Sequence, residues 1–210
     1  MNKKSIIKEI IEWAICIIVA VVIALTIKYF LITPTIVQQT SMYPTLVHNE
    51  RLLLNRTIRT SKSMPKRGDI ITFEAPNLSA VVSNEKPVAQ YTKQPNGIFN
   101  KFTYYVLEIE KQSYIKRVIG LPGEELEIKD GDVYINGEKL EETYLKEGLK
   151  TSLQNESLNH FTVPEGTIFV MGDNREYSID SRTFGCVPLE KIEGKVILRF
   201  WPIGKFGNIE

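Results

Sequence analysis

A chain of 210 residues has room for one good-sized domain and a short appendage, but not for two full enzymatic domains. Its 26 basic and 25 acidic side chains nearly cancel, so no large single-sign field points to nucleic acid as a partner. Two histidines, His48 and His160, and no cysteine pair at ligand spacing leave too few donors for a metal site, and the placement of Cys16 in an apolar segment and Cys186 in the domain beyond it argues against a disulfide.

From Trp13 to Ile27 every side chain is uncharged and most are Ile, Val, Ala or Leu; past Lys28 the run Tyr29-Phe30-Leu31-Ile32 keeps the apolar character. Together they reach the ~20 residues that a membrane-spanning helix needs. Lys28 can extend to the head groups, with Tyr29 and Phe30 in the interface. Lys3, Lys4 and Lys8 precede the run, which favours a cytoplasmic amino terminus. No Ala-x-Ala pattern follows the apolar stretch, so an uncleaved anchor is expected instead of a removed leader. The expected layout is a basic tail at 1–9, a transmembrane helix at 10–33 and an extracytoplasmic β-rich domain at 34–210.

After Pro34 short β-type runs alternate with turn signals. Arg67-Gly68-Asp69 precedes Ile70 to Phe73, and Asp130-Gly131-Asp132 precedes Val133 to Ile135, after which Asn136-Gly137 predicts a hairpin. Further strands are expected over Tyr104 to Ile109, Tyr114 to Ile119, Leu126 to Ile128, Thr167 to Met171 and Lys195 to Phe200. Ala75 to Lys101 and Glu141 to Asn159 read as irregular excursions. Ile98, Phe99 and Phe102, within and just past the first, fit either a lipid contact or the core. No long helical periodicity follows the anchor.

Four patches carry most of the information. Thr40-Ser41-Met42-Tyr43-Pro44-Thr45-Leu46 lies just beyond the membrane exit; taken alone, a serine close to a proline is an ordinary turn. Gly68-Asp69-Ile70-Ile71-Thr72-Phe73 leads into a strand and carries no obvious reactive group. In Tyr114-Ile115-Lys116-Arg117-Val118-Ile119-Gly120 a lysine interrupts an apolar strand, on the face opposite Ile115 and Arg117. Gly172 to Gly185 is crowded with donors and acceptors, and a tied surface turn braced by Asp180 and Arg182 would explain it.

In this order after an amino-terminal span, the four patches closely resemble the boxes of bacterial type I signal peptidases. That family pattern runs Ser-Met-x-Pro-Thr-Leu, Gly-Asp-hydrophobic, Lys-Arg-hydrophobic-hydrophobic-Gly and Gly-Asp-Asn-Arg-x-x-Ser-x-Asp-Ser-Arg, and every fixed position is filled here. The resemblance implies a mainly β, antiparallel catalytic domain with Ser41 as nucleophile, Lys116 as general base, Ser178 orienting the lysine amine, and Asp180 and Arg182 bracing the site. It also places Val37, Met42, Leu46, Tyr114 and Ile115 near the dyad or in shallow substrate pockets. One position departs from the pattern: Gln39 stands where relatives carry a serine or a glycine. Its amide could join the Ser41 backbone N–H in binding the oxyanion, or point away.

Serine–lysine chemistry imposes a physical condition. A neutral amine within hydrogen-bond reach can take the hydroxyl proton, but with an ordinary pKa of ~10.4 only about one lysine in a few thousand is neutral at pH 7. Burial among apolar groups lowers that value, and Ile115, Val118, Ile119 and Met42 are candidates to supply them. No metal or organic cofactor is needed. A histidine-based triad is the nearest chemical competitor, but neither His48 nor His160 lies in a comparable patch. The implied substrates are secretory preproteins cleaved after small residues at the first and third positions before the scissile bond, presented at the lipid bilayer. The anchor ends about eight residues before Ser41, a reach of no more than ~30 Å. A self-cleaving Ser-Lys peptidase of the SOS-repressor kind and a tethered β domain that binds without cleaving are the competing expectations. The first lacks its DNA-binding helices here, and the second has no need of both Ser41 and Lys116.

Overall fold

The computed structural model describes residues 3–61, 63–80, 87–92 and 95–209. Helix α1 (Lys3–Phe30) contains the stretch Ile6–Phe30, 25 residues with a mean hydropathy of 2.8 at its most apolar. At ~1.5 Å per residue that stretch is about 38 Å long, more than the ~30 Å hydrocarbon core of a bilayer. None of its apolar window is buried against the rest of the protein. The helix ends in a tight final turn, where the Thr33 hydroxyl donates to the Lys28 carbonyl (2.8 Å), and the chain passes at once into β1 (Ile32–Ile36). The helix therefore closes three residues before the expected end of the anchor at 33, and Pro34 lies in a strand. It is tolerated there because β1 is the sheet's outermost strand, where a missing N–H costs no ladder bond.

The remaining elements, in chain order, are β2 (Arg51–Asn55), α2 (Thr57–Ser61), β3 (Ile70–Glu74), α3 (Ile98–Tyr105), β4 (Ser113–Gly120), β5 (Glu125–Lys129), β6 (Asp132–Ile135), β7 (Glu138–Lys139), β8 (His160–Thr162), β9 (Thr167–Met171), α4 (Ser181–Phe184), β10 (Val187–Pro188) and β11 (Ile192–Trp201). They form a seven-stranded sheet in the order β1-β2-β11-β3-β4-β9-β10 and a four-stranded sheet in the order β7-β6-β5-β8. Every strand pair is antiparallel. The fold is thus mainly antiparallel β with one amino-terminal apolar helix.

The hairpin at Asn136-Gly137 joins β6 to β7 with both turn residues at positive φ (52° and 80°), the conformation that matches the right-handed twist of paired strands. One expectation needs correction. The stretch Tyr104 to Ile109 is not a strand: it holds the last turn of α3 and the loop beyond, and β4 already has β3 and β9 as neighbours. Of the two readings of Ile98, Phe99 and Phe102, the core is excluded by exposures of 91%, 76% and 43%. Residues 81–86 and 93–94 of the expected irregular excursion lie outside the described residues.

Three apolar clusters hold the domain. One lies beneath the smaller sheet around Leu126, Val133, Phe161 and Phe169; a second joins Ile71, Phe73, Val118, Val170 and Phe184. The third packs Val37, Met42 and Leu46 against Leu52, Leu54, Ile70 and Val196. This last cluster fixes the loop that carries Ser41.

Candidate active site

The loop after β1 is pinned by its apolar side chains and by its backbone. Val37 exchanges hydrogen bonds with the far side of the loop, its N–H donating to Glu50 (2.9 Å) and its carbonyl accepting from Asn49 (2.8 Å). Met42 and Leu46 are fully buried, and the Leu46 N–H donates to the Met42 carbonyl (2.9 Å). Two anchors only one and five residues beyond Ser41 leave its hydroxyl little freedom.

Lys116 reaches the same point from β4, where it pairs with Ile71 of β3. Its side chain is 2% exposed, its Nζ lies 2.8 Å from Ser41 Oγ, and it donates to the Ile115 carbonyl at 3.1 Å. Burial is the main influence on this amine and lowers its pKa to about 8; the Asp180 and Asp173 carboxylates pull it back up, and the Arg182 guanidinium pushes it down. A lysine tuned in this way is neutral in a useful fraction of molecules near neutral pH.

The segment between β9 and α4 ties these two elements together. The Asn174 N–H donates to the Ser41 carbonyl (3.0 Å), and its side-chain amide donates to the Thr40 carbonyl (3.1 Å). Asp180 caps α4 by accepting from the Arg182 N–H (3.2 Å), accepts from the Gly172 N–H (3.0 Å), and receives two bonds from the Arg182 guanidinium. Asp173, wholly buried, is held by Arg117 through two bonds (3.0 and 2.8 Å) and by the Thr45 hydroxyl (2.5 Å). Arg175 is clamped by Glu142 and Thr151. At Gly172 a Cβ would fall 2.4 Å from the Ser41 carbonyl oxygen and 2.2 Å from Ser178 Oγ, so only glycine permits this approach.

A groove of about 420 Å³ is lined by residues close in sequence to both members of the pair. One wall runs from Thr33 to Gln39, along the strand edge of β1 left free by its single partner β2; the other includes Ser113 to Ile115, at the start of β4, before its pairing with β9 begins at Arg117. The walls end on Gln39 and Ile115, two residues before Ser41 and one before Lys116. Two unpaired strand edges on one groove suit an extended peptide, which can hydrogen-bond to both.

A family model described as signal peptidase, peptidase S26, matches residues 10–201. The chain belongs to that family. It is accordingly a serine endopeptidase, a hydrolase of peptide bonds. Signal peptidase IB of Staphylococcus aureus (strain COL) is 34% identical over 95% of this chain and 93% of its own length, and signal peptidase I of Bacillus licheniformis is 36% identical over 97% and 94%. A crystal structure of a signal peptidase I from Enterococcus faecalis V583 aligns with 63% of this chain and 97% of that one, at 32% identity and a TM-score of 0.41.

Within this signal peptidase-family chain, Ser41, Lys116, Asp180 and Arg182 meet at one locus. Val37, Tyr114, Ile115 and Gln39 lie on the groove wall, Gln39 exposed. Met42 and Leu46 are not among its lining residues; both are buried in the apolar cluster beneath the loop that carries Ser41. Ser178 is buried with a hydroxyl that has no hydrogen-bond partner among the described residues, and no bond to Lys116 is present. Sequence reasoning assigned no supporting role to Gly172, Asp173 and Asn174, although all three stand in the fourth patch, and it left Arg117 without a named partner. His48 contacts the Gln38 carbonyl, His160 contacts Glu125, and both are exposed. Burial pushes the Cys186 thiol up to about 12, so it offers no thiolate.

Proposed function

We propose that this chain is a membrane-anchored endopeptidase that removes amino-terminal signal peptides from secreted preproteins, using Ser41 as nucleophile and Lys116 as general base. The observation that carries the assignment is the 2.8 Å separation of Lys116 Nζ and Ser41 Oγ, and a peptide-sized groove lined by their sequence neighbours Gln39 and Ile115 supports it. A lysine buried against a serine at that distance has no binding role that would justify its desolvation, which speaks against a non-cleaving tethered domain.

The reaction follows from the geometry. With Lys116 neutral, the Ser41 hydroxyl donates to Nζ; as Oγ attacks the scissile carbonyl, the amine takes the proton and the carbonyl oxygen becomes an oxyanion. The Ser41 backbone N–H stabilises that charge, and the exposed Gln39 amide on the groove wall is the candidate second donor. Collapse breaks the peptide bond, Lys116 returns its proton to the leaving amine, and an ester joins substrate to Ser41. Water then gives a proton to the neutral amine and attacks the ester carbonyl; as the bond to Oγ breaks, Lys116 passes that proton to Ser41 Oγ, which releases the acid and restores the hydroxyl and the neutral amine.

The β-branched side chains of Val37 and Ile115 at the Ser41 end of the groove favour small substrate side chains there, in keeping with cleavage at Ala-x-Ala sites. Helix α1 is the anchor, with the basic tail at 1–9 cytoplasmic and the domain from 34 onward on the extracytoplasmic side. The test is cleavage of a preprotein carrying an Ala-x-Ala site by the full-length protein in detergent. Ser41→Ala and Lys116→Ala are each expected to lower kcat by at least ~10³-fold with the fold intact. Cleavage that survives either substitution would remove the dyad.

A further inference from the structure

Helix α3 presents an apolar face that nothing in the described residues covers. At ~100° per residue Ile98, Phe99, Phe102 and Tyr105 fall within an arc of ~120°, and Asn100 lies on the opposite side. Ile98 is 91% exposed and Phe99 76%, values seldom seen for large apolar side chains on a surface facing only water.

The position of α3 says what covers it. The residues just after it are fastened to the end of α1: Lys28 Nζ donates to the Val106 carbonyl (3.4 Å) and pairs with Glu108 (3.0 Å). Glu108 is also bound by Arg56 at the foot of β2. Lys28 begins the last turn of the apolar helix, so α3 sits at the depth where that helix leaves the hydrocarbon. Further apolar side chains on the segments joined by these contacts are exposed as well: Phe30, Leu31 and Ile32 on the exit segment, and Leu107 and Ile109 after α3. Lys101 lies beside Ile98 on the edge of the arc, able to lay its stem along the apolar surface and keep its charge among the head groups.

We infer that α3 is a second membrane contact, an interfacial helix whose Ile98, Phe99 and Phe102 side chains enter the upper acyl region of the same bilayer that α1 crosses. The inference rests on the reading of α1 as a membrane span. It has a consequence for the groove, whose far end is lined by Glu108 and Arg56. With α3 seated, that end opens at the lipid surface, where the helix of a membrane-embedded substrate emerges.

Tryptophan fluorescence in vesicles of phosphatidylcholine and phosphatidylglycerol, with and without bromines on the upper acyl chains, tests this on the full-length protein. The chain has two tryptophans, Trp13 in α1 and Trp201 in β11. The Trp201→Phe variant therefore reports on the span alone, and Trp13→Phe/Trp201→Phe carrying Phe99→Trp or Asn100→Trp reports on either face of α3. The expected result is emission shifted to the blue and quenched by brominated lipid for Phe99→Trp and for Trp13, with water-like, unquenched emission for Asn100→Trp. Quenching of Trp13 with none for Phe99→Trp would overturn the inference and leave the anchor standing; equal quenching at both α3 positions would overturn the proposed orientation. If Trp13 also escapes quenching, the span itself fails, and the inference with it.

Discussion

Arg182 grips Asp180 with two parallel hydrogen bonds, of 2.9 and 2.8 Å, in a site where the two side chains are 1% and 0% exposed. A buried pair of this kind contributes little relative to an apolar substitute, but breaking it leaves an uncompensated charge, at a cost of ~3–5 kcal/mol. Arg182→Ala is expected to destabilise the domain by that order in thermal denaturation.

The same pair acts on Lys116 with opposite signs, since Asp180 raises its pKa and Arg182 lowers it. Asp180→Asn, which keeps the shape and removes the charge, is expected to move the acid limb of the kcat/KM profile to lower pH. Arg182→Gln is expected to move it higher. Shifts in the same direction would show that the pair affects only the stability of the loop.

Burial of Lys116 also bears on folding. Its pKa lies at about 8 in the folded protein against 10.5 for the free side chain. Between those values the unfolded chain binds more protons, so stability rises with pH across the window, and below about 8 the folded protein carries the full desolvation penalty. Lys116→Met is therefore expected to be inactive yet more heat-stable than the parent at pH 7, with the gain shrinking as pH approaches about 10.5.

Gly172→Ala places a methyl group 2.4 Å from the Ser41 carbonyl oxygen, a backbone atom that cannot step aside without moving Ser41. A displacement near 1 Å at a catalytic group can cost on the order of 10²-fold in rate. The expected outcome is a kcat lowered by about that factor in a protein whose near-ultraviolet circular dichroism is unchanged.

The Ser178 hydroxyl is buried without a hydrogen-bond partner among the described residues. Removing such a group relieves its desolvation, so Ser178→Ala is expected to leave the melting temperature equal or higher. A fall in kcat in that variant, restored by Ser178→Thr, would assign the hydroxyl to positioning the lysine amine.

Much of the architecture was legible because it rests on local rules. Asn136-Gly137 names its turn, and the strands over Ile70 to Phe73 and Thr167 to Met171 stand out as continuous apolar runs. Strands β1 and β2 escaped notice because β1 follows the anchor without a break and contains Pro34, and because β2 is five residues opened by Arg51. The Tyr104 to Ile109 stretch misled through its aromatic and β-branched content, yet it holds the last turn of α3 and the loop beyond it. At the site, alternation put Lys116 and Arg117 on opposite faces but did not foretell that both would be buried. That follows from the inner position of β4 between β3 and β9, and from Asp173, more than fifty residues away in the chain, closing over Arg117. Met42 and Leu46, which the family resemblance put near the pair or in shallow pockets, are buried in the apolar cluster beneath the Ser41 loop.

The most direct test of the serine–lysine assignment is the pH dependence of kcat/KM for preprotein cleavage by the unmodified protein. The amine must be neutral to accept the Ser41 proton, so the rate is expected to climb with rising pH and level off above a single ionisation near 8, the value burial imposes on Lys116. A profile flat from about pH 6 to about pH 10, or one that follows an ordinary histidine near ~6.5, would contradict it.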